Sequence, residues 1–251
     1  MSADLRTYYD RKALEIDELA ATYNSPIPYK RFFYRRRFEA VMALLDPRPG
    51  ERILELGCGS GFYTKPLIES GAVVTASDLA ANYVAQAQQH VGALAGKATF
   101  RVEDVQGLTF PDGQFDKILM TEVIEHVPAP ERALAQAHRA LRVGGILVVS
   151  TPSRFSPLNL AYALKRRVRG YGFNEHVHEF SIGGFRRLVA SRFEIEEIAF
   201  ANLLLPYPLD LAAAKLGQRS VSGLERLERL LTAAPLVRRL AWTVVVRARK
   251  D

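Results

Sequence analysis

A short apolar run, Ile53–Leu56, breaks into three glycines two residues apart in ILELGCGSGF (53–62). Nothing else in the chain constrains its fold as tightly. A run of this kind suits a strand buried on both faces, and such strands belong to parallel sheets covered by helices. Glycines directly after the strand let the backbone take positive φ and approach a ligand closely. The helix that follows offers free N–H groups to a polar group. Ligands in open parallel sheets sit at the carboxyl ends of the strands, so the loop after Leu56 is the first candidate site.

The rest of the chain fits that frame. Residues 5–45 carry apolar positions at helical spacing, with a break at NSPIP (24–28), and PRPG (47–50) reads as a turn. Strands are then expected at 53–56, 72–76, 98–102, 115–121 and 144–150, and helices near 63–70, 80–91 and 129–141. That alternation implies parallel pairing through crossover helices. A helix at 181–190 with Ser181 as N-cap, a strand at 193–200 and a closing strand at 242–250 complete the pattern. The fold class expected is α/β, a Rossmann-like, mostly parallel sheet of about seven strands with helices on both faces. Residues 1–45 form an N-terminal helical cap and 46–251 the core. Stretches 154–179 and 206–241 interrupt the alternation and are read as helical insertions forming a substrate lid.

Composition narrows the setting. The 251 residues hold one cysteine, Cys58, which excludes an internal disulfide and a cysteine zinc site and fits a reducing cytoplasm. No apolar run reaches the length of a membrane span, and the charged start, MSADLRTYYDRK, does not read as a secretory signal. The net charge of +7 gathers at YKRFFYRRR (29–37), LKRRVRG (164–170) and the last fifty residues, outside the glycine motif.

The ligand can be argued by elimination. The dinucleotide fingerprint needs a glycine where Phe62 stands, and the Gly-Lys-Ser/Thr of a phosphate-binding P-loop is missing. What remains is E-x-G-x-G-x-G: Glu55, Gly57, Gly59 and Gly61. Asp78, at the end of the second strand, can accept two hydrogen bonds from a ribose diol. Asp104, ending the third, can accept from the exocyclic amine of adenine. LMTEVIEHV (119–127) brings two more acids and a histidine to the rim of the fourth. An adenosine ligand without phosphates and with positive charge beyond the sugar suits such a site, and S-adenosylmethionine has that description.

The segments ILELGCGSG, VVTASDLA, RVEDVQGLTF, FDKILMTEVIEHV and RALRVGGILVVSTPS resemble, in order and spacing, the motifs of class I S-adenosylmethionine-dependent methyltransferases. The resemblance covers residues 51–153 and implies a seven-stranded sheet whose last strand is antiparallel. It implies that Gly57, Gly59 and Gly61 line the methionine portion of the cofactor and that Glu55 helps position its amino group. Asp78 would hold the ribose, with Leu79 beside the adenine. Asp104 and Val105 would read the adenine edge, and Thr121 and Glu122 would close the site near the sulfonium. The YYD at 8–10 is similar to N-terminal segments that cover the cofactor in related enzymes. EVIEHV followed by proline resembles the ubiquinone-biosynthesis O-methyltransferase-like group, in which acids and a histidine at the positions of Glu122, Glu125 and His126 have been linked to a divalent metal. No metal site is favoured here.

Transfer to a hydroxyl benefits from a general base, and a histidine near neutral pKa is the usual choice. His126 is the first candidate, with His176 and His178 after it. The expected function is methylation of a small-molecule acceptor in a biosynthetic pathway, most simply on oxygen, with a lipophilic or sugar-containing acceptor in view. N-methylation and a non-catalytic cofactor-binding partner are the alternatives. No nucleic-acid module is recognisable. The basic residues of 154–173 and of LVRRLAW (236–242) suggest peripheral contact with an anionic membrane.

Overall fold

The computed structural model describes residues 2–16, 22–157, 159, 177–203, 218–235 and 237–251. Two helices open the chain, α1 (Ser2–Glu15) and α2 (Pro28–Leu45). Then come β1 (Arg52–Leu56), α3 (Thr64–Glu69), β2 (Val73–Asp78), α4 (Ala81–Val91), β3 (Ala98–Val102) and β4 (Phe115–Thr121). After a single 3₁₀ turn at Ile124–His126 follow α5 (Pro130–Ala140), β5 (Leu141–Pro152), α6 (Ile182–Ala190), β6 (Glu194–Ala201), α7 (Gln218–Ala233) and β7 (Thr243–Arg249). Element ends within the core differ from the sequence reading by a few residues at most, whereas α1 ends at Glu15, well short of the break expected at 24–28. The largest difference within the core is β5, which begins at Leu141 rather than 144 because its first residue still pairs with Phe115 across a register shift.

The sheet order is β3-β2-β1-β4-β5-β7-β6. β7 alone runs opposite to the other six strands. Side chains alternate across each strand, so the sheet builds two cores. Leu54, Leu56, Ile118, Met120, Leu147 and Val149 meet Leu134 of α5 and Phe185 and Val189 of α6. Ile53, Leu119, Ile146 and Val148 meet Val41, Leu44 and Leu45 of α2 and Leu67 and Ile68 of α3. The unbroken apolar run Ile146–Val149 of β5 follows from this double burial. Ser181 caps α6 as expected, accepting from the Gly184 N–H at 3.1 Å.

Strand order reverses between β1 and β4, and the crevice at their carboxyl ends is where such sheets take ligands. The N-terminal helices close over it. Ala80, the N-cap of α4, has no side chain to satisfy the helix start. Two acids do so instead: Asp78 Oδ1 accepts from the Ala80 N–H and Asp10 Oδ1 from the Asn82 N–H, each at 3.0 Å. Asn82 Nδ2 returns a bond to the Asp10 carbonyl, and Gln86 Nε2 donates to that of Ala13. α1 is thereby docked along α4. The basic run 164–170, most of the first insertion and residues 206–217 of the second lie outside the described residues.

Candidate functional site

A cavity of about 470 Å³ opens at the carboxyl ends of β1, β2 and β4. Of the residues expected there, Gly57, Gly59, Asp78, Leu79, Asp104, Val105, Thr121, Glu122 and His126 line it. Tyr9 and Lys12 of α1 and Arg37 of α2 form the opposite wall, together with Tyr23, Phe62 and Tyr63.

The glycine loop is stitched to β2. The N–H groups of Gly57 and Cys58 both donate to the Ser77 carbonyl, at 2.8 and 2.9 Å, and the Gly59 N–H donates to Asp78 Oδ2 at 2.9 Å. Gly57 has φ +73°, and a Cβ there would stand 2.2 Å from the Val123 side chain. Gly61 has φ +82° but does not line the cavity; a Cβ there would stand 2.9 Å from the Ala87 backbone, so it is where the loop packs on α4. Gly61→Ala is expected to lower stability by about 2 kcal/mol through left-handed strain and overpacking. Urea unfolding of the variant measures this, and an unchanged midpoint would contradict the packing role.

Glu55 also stands back from the cavity. It is buried beneath the loop, where Thr64 Oγ1 donates to its Oε2 at 2.6 Å and Oε1 has no hydrogen-bond partner. Burial pushes its carboxyl up to about 8; the Thr64 hydroxyl works against that shift and the charge of Asp78 adds to it. Asp104 Oδ1 accepts from the Gln106 N–H at 2.9 Å, which fixes its rotamer at the end of β3.

Glu122 takes a left-handed backbone, φ +53°, which a residue with a side chain adopts only when its surroundings hold it. Ser150 Oγ donates to its Oε1 at 2.9 Å, and Arg37 reaches its Oε2 at 3.1 Å. The Arg37 guanidinium also donates to the Tyr23 hydroxyl at 2.8 Å and lies over the Tyr34 ring, 5.4 Å from its centroid. Burial works against the Arg37 charge, but Tyr23, then Glu122 and Tyr63, hold its pKa well above the usual value. Reading the sequence for charge places Arg37 only in a basic run outside the glycine motif. The structure brings it into the site, and the aromatic residues interleaved in YKRFFYRRR are the only sequence signal for this.

His126 meets Tyr9 edge to face, 5.8 Å between ring centres, with Nε2 3.9 Å from Glu125 Oε1. Glu125 turns into the core, where Thr151 Oγ1 donates to its Oε2 at 3.1 Å; burial, and then the charge of Glu122, raise its pKa well above the carboxylate range. His178 lies behind this turn: its N–H donates to the Glu125 carbonyl at 2.9 Å, and its ring stacks on Phe180. His176 lies outside the described residues. Glu122, Glu125 and His126 therefore point to three different partners. They do not fit a shared metal ion, and among the described residues no group of three or more His, Cys, Asp or Glu could hold one.

Residues 54–149 match the family model described as "Methyltransferase domain". A ubiquinone biosynthesis O-methyltransferase of Xanthomonas axonopodis pv. citri is 36% identical over 129 residues, 51% of this chain and 53% of that protein. The chain thus spans about half the length of the curated relatives it matches. Among solved structures, the magnesium protoporphyrin IX methyltransferase of Synechocystis PCC 6803 superposes with a TM-score of 0.65 at 17% identity, covering 100% of this chain and 99% of that one. The N-methyltransferase NodS of Bradyrhizobium japonicum WM9 gives 0.63 at 16% identity, covering 98% of each. Residues 54–149 thus resemble a methyltransferase domain, and the fold is shared with these solved methyltransferases.

Proposed function

We propose that the chain transfers a methyl group from S-adenosylmethionine to a small-molecule acceptor, on oxygen in the first instance. The observation that carries this is the convergence of Asp78, Asp104 and the bare backbone of Gly57 and Gly59 on one cavity. Their chemistry fits the cofactor: carboxylates for ribose and adenine, with no basic residue in the loop itself to meet phosphates. Each Asp78 oxygen accepts one backbone N–H, and a carboxylate oxygen can take a second hydrogen bond, in this reading from a ribose hydroxyl. Leu79 and Val105 flank the base, Asp104 reads its amine, and Thr121 and Glu122 close the cavity at the end of β4. Glu55 and Gly61 act from behind the loop, one on its electrostatics and the other on its packing.

When bound, the cofactor supplies an electrophilic methyl group on a sulfonium. The chain contributes orientation and exclusion of water, the larger share of catalysis for an in-line displacement. α1 and α2 shield the cavity, and the acceptor enters beside His126, whose imidazole takes the hydroxyl proton. We treat residues 1–45 as the cap, 46–251 as the core, and the insertions at 154–179 and 206–241 as the acceptor-side lid.

Calorimetry with S-adenosylmethionine, followed by transfer from labelled cofactor to a panel of hydroxyl and amine acceptors, tests this. Binding and transfer to a hydroxyl are expected, with His126→Asn lowering kcat while cofactor affinity holds. Transfer to amines alone moves the reaction to nitrogen. Binding without transfer to any acceptor supports a non-catalytic partner, and absence of binding overturns the proposal.

A further inference from the structure

The acceptor end of the sheet carries a surface that the core does not use. α7 is anchored by Glu228, whose buried Oε1 accepts from the N–H groups of Asn202 and Leu203 at 2.8 and 3.2 Å, just past the carboxyl end of β6. On a helix of 3.6 residues per turn, Arg226 and Leu230 fall on the side opposite Glu228, and Leu227 lies on the flank. Leu230 is 72% exposed and Leu227 44%; Leu240, in the turn that follows, is 48% exposed. Arg226, Arg238 and Arg239 are exposed beside them. The segment 218–242 carries five arginines and two acids, Glu225 and Glu228, and Glu228 faces inward.

We infer that this face, the outer side of α7 and the turn at Val237–Leu240, docks on an anionic lipid surface. Protruding leucines interleaved with arginines match what a bilayer interface offers, acyl chains beneath anionic headgroups. Charge complementarity selects this occupant. A second copy of the chain would set arginines against arginines, and a nucleic acid would leave the leucines in water. The face lies at the same carboxyl edge of the sheet as the cavity, so docking would bring the cavity close to the membrane. No helix among the described residues is long and apolar enough to cross a bilayer, so the contact is peripheral. The inference does not depend on the methyltransferase proposal.

Co-sedimentation of the full chain with phosphatidylcholine vesicles, with or without phosphatidylglycerol, tests it. Sedimentation is expected with the anionic vesicles at low salt and should fall at high salt. Leu227→Gln combined with Leu230→Gln should weaken partitioning roughly tenfold, and Arg238→Gln combined with Arg239→Gln by a similar factor. Thermal unfolding checks that each variant is folded; all four positions are solvent-facing, so unfolding temperatures should hold. Failure of the wild type to sediment with anionic vesicles at low salt overturns the inference. Equal partitioning of wild type and both variants overturns it too, since another surface would then bind. So does a dimer in sedimentation velocity that the leucine pair abolishes, since a second copy would then cover the face.

Discussion

Asp78→Ala is expected to weaken S-adenosylmethionine binding on the order of 100-fold or more while leaving the protein folded. Two hydrogen bonds from a ribose diol to one carboxylate are charge-assisted, and each is worth about 1.5–3 kcal/mol. The substitution also frees the Gly59 and Ala80 N–H groups that Asp78 now holds at 2.9 and 3.0 Å. The loop that should cradle the methionine end loses its tie to β2 at the same time as the ribose loses its acceptor. Asp78→Asn separates the two effects: the amide oxygen can keep one backbone bond, but the charge is gone. Calorimetry across wild type, Asn and Ala should give a graded loss. Equal affinity in all three would remove the cofactor assignment and the role of the loop with it.

Glu55→Gln should change how stability depends on pH. Burial raises the Glu55 carboxyl from 4.5 to about 8 in the folded chain, so between those values the folded protein holds a proton that the unfolded chain has released. The stability tied to that proton is complete below pH 4.5, shrinks as pH rises, and is gone above about 8. At pH 7 the loss is about 3 kcal/mol. Glutamine keeps an acceptor for the Thr64 hydroxyl and does not ionise, so the variant escapes the loss. Urea unfolding of both proteins between pH 5 and 8 should show the gap moving toward the variant as pH increases. Parallel curves would mean that Glu55 is solvated in a way the buried geometry does not allow.

How much of this was legible beforehand depends on the kind of information involved. The strands could be read because burial on both faces leaves a continuous apolar run, and each carboxylate at a strand end marks where a run stops. Asp78, Asp104 and Glu122 therefore read from the sequence as one rim. Local spacing could not say which glycines touch a ligand. Gly57, Gly59 and Gly61 look alike in the chain, yet Gly61 serves the packing of the loop on Ala87 of α4. Glu55 shares its motif with them and lies beneath the loop rather than in the cavity.

The sequence by itself determined the mostly parallel sheet and the acidic strand ends, because periodicity and strand ends are local properties. The tertiary structure alone decided what closes over that rim. Arg37 reads only as one member of a basic run, and arginines are mostly exposed. Only the packing of α2 across β5, β7 and β6 carries it to Glu122, where the ion pair and the tyrosines make its burial tolerable. Which distant segments meet is set by how helices cover a sheet, and no stretch of residues states that on its own.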